Sequence, residues 1–215
     1  MDLKIRQVDD FEVTGDGTAA AWRDIAWEPL VRVGEGKSQW ATKTKVMWSA
    51  SGLYFLVDCE DQKLTCTMTQ DGDDIFREDV VEIFLWPDEG QPIYFEYELS
   101  PLDVELPILV SNNGGDFYGW LPWHYVGPRR VRHATATRGG PKASGGEVTG
   151  WSAEFFIPFT LLTGMGNTPP QPGSRWRANI YRIDYDAQPC SHWAWCPDTG
   201  ANFHKFREFG TLQFE

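Results

Sequence analysis

Polar and apolar positions alternate with a period of two along much of this chain, most clearly at 80–86. Asp79, Val81, Ile83 and Leu85 share one face there, the last three forming an unbroken apolar row, and Val80, Glu82, Phe84 and Trp86 share the other. β-Branched and aromatic residues dominate and Pro87 closes the run, so the stretch predicts a strand whose apolar row faces a core. Glu82 then stands mid-strand on the opposite face. A carboxylate in that setting is costly unless it is solvated in a cleft or paired, which predicts a polar patch on a sheet. The acidic residues just before the strand are expected at the rim of that patch.

The same period predicts a hairpin of strands at 42–49 and 53–60 around Ser51-Gly52, with 62–69 continuing the meander. At 93–100, Phe95, Tyr97 and Leu99 make the apolar row and Tyr94, Glu96 and Glu98 the other. Antiparallel pairing with 80–86 would bring carboxylates together on one face, although Glu96 reads as a solvated strand residue. Strand 104–110 contains Pro107 and is expected at an edge. Residues 111–127 read as loop, rich in Phe117, Tyr118, Trp120, Trp123 and Tyr125, with Trp120 and Trp123 candidates either for the lining of the same patch or for partly buried packing. Strands at 131–137 and 149–157 flank a Gly-rich loop. In 176–186, Asn179, Tyr181 and Ile183 share one face, and Ile180, Arg182 and Asp184 the other. Strands at 3–13 and 192–195 and a closing strand at 209–214 complete the set. Thr18 is placed to cap a short helix at 19–24, and Pro158 to open a helical turn. Neither an internal repeat nor a change of composition divides the chain. Residues 1–215 are therefore expected to form one all-β domain, a sandwich of two antiparallel sheets with short peripheral helices.

Composition narrows the function. A net charge of −12 argues against nucleic acid and anionic membranes, both of which require cationic surface. No apolar run approaches the roughly 18–20 residues of a membrane span, and the first residues lack the apolar core of a signal peptide. The 11 Trp suit stacking surfaces for planar or sugar-like ligands. The four cysteines read either as buried thiols or as disulfides, with Cys190 and Cys196 bracketing a short loop and Cys59 and Cys66 flanking a hairpin. No nucleophile elbow, zinc-protease helix or phosphate loop is present. Glu82 and Glu98 form a carboxylate pair on paper, but nothing in the sequence sets their separation.

Five motifs in order, at 73–85, 94–102, 150–159, 176–184 and 203–214, resemble carbohydrate-binding module family 9 and its DOMON-like relatives. Asp16-Gly17 with Trp22, and the Trp48…Gly52-Leu53-Tyr54 hairpin, fit the same pattern. The resemblance implies a two-sheet sandwich without catalysis of its own, often with bound Ca²⁺. It also implies a reducing-end sugar clamped between two Trp side chains. By motif position these are Phe76 and Phe203 here, so both Trp are replaced. The family's sugar-bonding Glu matches Glu82, an Arg of the family falls near Glu98, and a Gln falls at Tyr181, beside Arg182. His204 and Arg207 belong to the same expected binding loop. A pyranose offers C–H faces to rings and hydroxyls to charged acceptors and donors, so Phe76, Phe203, Glu82, Glu98 and Arg182 form a coherent inventory. The expected partner is an oligo- or polysaccharide, with a glycoside hydrolase appended, in a secreted, periplasmic or cell-surface setting. No cofactor is required; for Ca²⁺, the acidic loop 71–74 is a candidate without the EF-hand pattern.

Two other readings compete. DOMON-like relatives hold haem between Met and His or Lys, for which Met47 or Met68 with His133, His192 or His204 would serve. Alternatively, loss of both Trp marks an interaction domain with a decayed groove.

Overall fold

Alternating rows sort the strands into two sheets. The computed structural model describes residues 1–113 and 116–215. In chain order the strands are β1 (Asp2–Ile5), β2 (Glu28–Pro29), β3 (Val31–Val33), β4 (Thr42–Trp48), β5 (Gly52–Glu60), β6 (Val80–Trp86) and β7 (Ile93–Leu99). They continue as β8 (Glu105–Asn113), β9 (Asp116–Pro122), β10 (Arg132–Arg138), β11 (Gly150–Pro158), β12 (Arg175–Asp184), β13 (Ser191–Ala194) and β14 (Gly210–Phe214). One sheet has the order β1-β14-β12-β6-β7-β8-β9, with β13 pairing β12 and β3 pairing β13. The other has the order β10-β11-β5-β4-β2. Pairing is antiparallel except between β1 and β14, which run parallel.

Three apolar layers result. Val81, Ile83 and Leu85 of β6 and Phe95, Tyr97 and Leu99 of β7 pack between the sheets against Val46, Phe55, Val57, Trp151 and Phe155. The expected row therefore faces the core, and burial of these side chains contributes about 1.5–3 kcal/mol each. A second layer covers the outer face of the larger sheet, where Val80, Phe84, Trp86, Tyr94 and Tyr181 meet Phe203, Phe206 and Phe209. A third lies on the outer face of the smaller sheet, where Trp22, Met47, Tyr54, Leu56 and Phe156 are buried and residues such as Val8, Phe11 and Ile25 of the N-terminal segment pack over them. Glu154 anchors that segment, accepting bonds from Trp22 Nε1 (2.8 Å) and Gly15 N (2.8 Å).

Several elements differ from expectation. Pro107 lies inside the sheet rather than at its edge, because the 111–127 stretch supplies β9 and pairs beyond β8. Its carbonyl accepts from Trp123 N (2.8 Å), and the ladder bond its missing N–H cannot make falls just past the last residue of β9. The helical structure consists of 3-10 turns, at Ala20–Trp22, Ile75–Arg77, Gly127–Arg129, Pro197–Thr199 and Phe206–Glu208. Thr18 caps none of them, its hydroxyl being committed to Asp16 Oδ1 (2.7 Å). Only Lys63, bridged to Glu147, extends the sheet pairing in 62–69. All four thiols are free, with Cys59, Cys66 and Cys196 buried. No helix among the described residues is long and apolar enough to cross a membrane.

Candidate functional site

The register of three strands builds the site. Glu82 of β6 lies directly opposite Glu98 of β7 on one side and Tyr181 of β12 on the other. Glu96, two residues from Glu98, opposes Phe84. Side chains directly opposite in an antiparallel pair start about 4.5–5.5 Å apart at Cβ. Alternation then puts all three carboxyls on the outer face of the larger sheet, away from the inter-sheet core. They line one cavity of about 490 Å³.

Loops and one hairpin strand supply the walls. Phe76 stands in the 3-10 turn before β6, its carbonyl accepting from Tyr185 O–H at 2.9 Å and its ring 5.5 Å from the Arg77 guanidinium. That turn is pinned by Asp79, which accepts from Thr65 N (2.6 Å) and Tyr185 N (2.8 Å). Phe203 comes from the loop before β14 and stacks on Tyr181 with centroids 3.9 Å apart and an interplanar angle of 11°. Tyr181 O–H also donates to the Phe203 carbonyl (3.2 Å). Downstream, Phe206 packs edge-on against Trp86 and Phe209 against Phe84, so three buried rings hold this loop on the sheet. The remaining aromatic wall comes from β9, whose Phe117 and Trp120 are 46% and 37% exposed. Phe117 leans on His204, with centroids 4.5 Å apart.

The electrostatics are unusual for so acidic a cluster. Glu82, Glu96 and Glu98 are 2%, 4% and 1% exposed. Burial pushes the Glu96 carboxyl up to about 8; it also raises Glu82, with Glu96 adding to the effect, and Glu98, with Glu82 and Glu96 adding. One oxygen each of Glu96 and Glu98 (Oε2) is buried without a hydrogen-bond partner. His204 lies 4.0 Å from Glu96 but does not neutralise it. Its Nδ1 is 2.7 Å from the Tyr94 hydroxyl, and burial lowers its pKa to about 4, so the ring is neutral at pH 7. His192 also lines the cavity and is likewise lowered by burial.

The structure brings part of the expected set together. Phe76, Glu82, Glu98, Phe203 and His204 all line the cavity, and Tyr181 lies one layer behind as the support of Phe203. Arg182 does not join them. Because β12 presents Tyr181 beside Glu82, the next residue points to the opposite face, into the space between the sheets. There Arg182 pairs with Asp61 (3.0 Å) and Asp184 (3.2 Å), donates to Thr42 Oγ1 and the Glu60 carbonyl, and lies 4.8 Å from the Trp193 ring. Glu96, expected in solvent, is buried in the cavity. Trp120 lines it whereas Trp123 does not, its indole N–H being bonded to the Leu161 carbonyl (2.8 Å). Phe117 and His192 were missed as wall residues; the signal for Phe117 was the aromatic run around it. Of the expected haem ligands, Met47 lies under the N-terminal segment on the other sheet, and His133 is paired with Glu105 at 3.1 Å.

Comparison with known proteins follows the same lines. The family described as carbohydrate family 9 binding domain-like matches residues 13–215. A comparison with curated proteins finds no match. Among solved structures, a candidate carbohydrate-binding protein from Bacteroides uniformis ATCC 8492 is similar over 100% of this chain and 99% of its own, at 16% identity and a TM-score of 0.75. A family 9 carbohydrate-binding module from Caldicellulosiruptor kristjanssonii in complex with cellotriose is 17% identical, with a TM-score of 0.68 over 100% of this chain and 94% of that one. In complex with glucose, a family 9 module from that organism is also 17% identical, with a TM-score of 0.66 and coverage of 100% and 96%.

Proposed function

The chain belongs to the carbohydrate family 9 binding domain-like family, and from that premise we propose that it is a non-catalytic module holding a saccharide ring over Glu82, Glu96 and Glu98. One observation carries this reading. Aromatic rings from three separate segments, Phe76, Phe203 and the β9 pair Phe117 and Trp120, surround one cavity with free carboxyl acceptors at its floor. Sugar C–H faces lie against rings while hydroxyls exchange hydrogen bonds with the carboxyls. Phe203 is fixed before any ligand arrives by its stack on Tyr181, which lowers the ordering cost of binding. The cellotriose and glucose found in the structural relatives support neutral glycans as the first probes. In a longer protein such a module would hold a glycoside hydrolase on its polysaccharide.

Calorimetric titration against glucose, cellotriose and a wider panel of mono- and oligosaccharides tests the proposal. Trp120 is partly exposed, so Trp120→Ala is expected to leave the fold intact and weaken binding about tenfold, or roughly 1.4 kcal/mol. Silence across the panel, or an unchanged affinity in Trp120→Ala, would count against a saccharide at this cavity.

For calcium we propose a place other than the acidic loop. Within 71–74 the carboxylates do not converge on one another: Asp71 lies 3.7 Å from Arg130 and groups with Glu105 and His124, Asp73 accepts from Gln70 N, and Asp74 pairs with Arg77. Asp61, Asp184 and Asp186 converge, each offering an oxygen within 4.8 Å of the others, with Arg182 sharing the first two. Asp186 Oδ2 there is buried without a partner. Hard oxygen donors of this kind suit Ca²⁺. Millimolar CaCl₂ is expected to raise the melting temperature relative to EDTA, and Asp186→Asn to remove the difference. No calcium-dependent shift in the parent protein would end the proposal.

A further inference from the structure

We infer that the cavity selects a sugar bearing a protonated amine, an unacetylated amino sugar, over a neutral hexose. This deepens the saccharide reading and rests on it. Three carboxyls from adjacent rungs of two strands share one hollow, and no Lys or Arg is among the described residues lining it. The nearest arginine in sequence, Arg182, is spent on the far side of the sheet on Asp61 and Asp184. Buried acidic groups normally have a cationic or donor partner, yet Glu96 and Glu98, on side chains that are 4% and 1% exposed, bond to one another, and neither Oε2 accepts from any other described residue. His204 cannot serve, being neutral and held by Tyr94. The protein has thus left carboxyls that an incoming donor can engage.

The walls narrow what that is. An ammonium supplies three N–H donors and a positive charge, and it is attracted to aromatic faces such as those of Phe76, Phe203 and Trp120. A neutral hydroxyl donates one bond and brings no charge. Because burial favours the protonated carboxyls in the empty cavity, an arriving cation also supplies the field in which they ionise. A bare divalent ion fits less well. The acidic and histidine groups that converge within 4.8 Å among the described residues are Asp71–Glu105–His124 and Asp61–Asp184–Asp186, and the three glutamates are not one of these sets. The open, ring-walled shape suits an organic cation.

The test uses the full chain and four probes by calorimetry at pH 6: glucosamine, N-acetylglucosamine, glucose and tetramethylammonium. Glucosamine is expected to bind at least tenfold tighter than glucose and than its N-acetyl form, which keeps the ring and removes the charge. Glu98→Gln is expected to lower glucosamine affinity by a larger factor than glucose affinity, shrinking that preference, with circular dichroism confirming the fold. Glucose or N-acetylglucosamine binding as tightly as glucosamine overturns the inference and leaves the saccharide reading standing. Binding of none of the three sugars sinks both. Tetramethylammonium binding as tightly as glucosamine also overturns the inference, since the cavity would then recognise the cation and not the sugar.

Discussion

Arg182→Ala is expected to destabilise the protein by about 3–5 kcal/mol, the usual cost of removing one partner from a buried ion pair. At 2–4 °C per kcal/mol for a chain of this size, the melting temperature should fall by about 6–20 °C. The reason is position: Arg182 is wholly buried and ties β12 of the larger sheet to Thr42 and the Glu60 carbonyl of the smaller one. Burial already pushes Asp61 up to about 6, with Arg182 pulling the other way. Without the guanidinium, Asp61 rises further and folding must retain a proton on it at neutral pH. The loss should therefore be larger at pH 8 than at pH 5.5. Thermal unfolding at the two pH values measures this directly, and saccharide affinity of the remaining folded protein should be nearly unchanged. A variant with parental stability and lost saccharide binding would restore Arg182 to the ligand cavity.

The second large effect concerns the glutamates of the cavity. Burial raises all three above the ordinary glutamate value of about 4.3, Glu96 to about 8 and the other two in the same direction. The folded state then holds protons that the unfolded chain releases, so this contribution is complete below about pH 4 and lost as pH rises through about 8. Glutamine imitates the protonated form at every pH. The triple variant Glu82→Gln, Glu96→Gln, Glu98→Gln is accordingly expected to match the parent near pH 4.5 and exceed it at pH 8. At about 1.4 kcal/mol per pKa unit, a gain of at least roughly 3 kcal/mol, or about 6–12 °C, is expected. Asp79, also raised to about 8 by burial, contributes equally to both proteins and cancels in the difference. Parent and variant curves that stay parallel from pH 4.5 to 8.5 would contradict this account.

How much of this was legible in the sequence depends on range. Alternation alone placed Val81, Ile83 and Leu85 in the core and set Glu82 and Glu98 on a shared outer face, because both facts are local to one hairpin. The same alternation put Arg182 opposite Tyr181 in the strand, and the structure follows the alternation rather than the proximity of Arg182 to a family motif. The 93–100 pattern alone makes Glu96 a solvated residue, because the cover over it, Phe203 to Phe209, comes from the far end of the chain and leaves no trace there. Phe117 and Trp120 were read as loop residues for a related reason. Gly114 and Gly115 interrupt the run, and the register shifts between Val110 and Asn112, so the period is broken where β9 joins the sheet. Of the two expected phenyl platforms, both line the cavity.

β6 and β7 carry two unrelated tasks on neighbouring residues. Odd-numbered positions, 81, 83, 85, 95, 97 and 99, fill the interior, and the even-numbered 82, 96 and 98 meet whatever occupies the hollow. The even face is itself divided, since Val80, Phe84, Trp86 and Tyr94 build the outer apolar layer and only 82, 96 and 98 open onto the hollow. A library restricted to those three sites leaves both apolar layers untouched, and its members differ in stability mainly through the charge they bury.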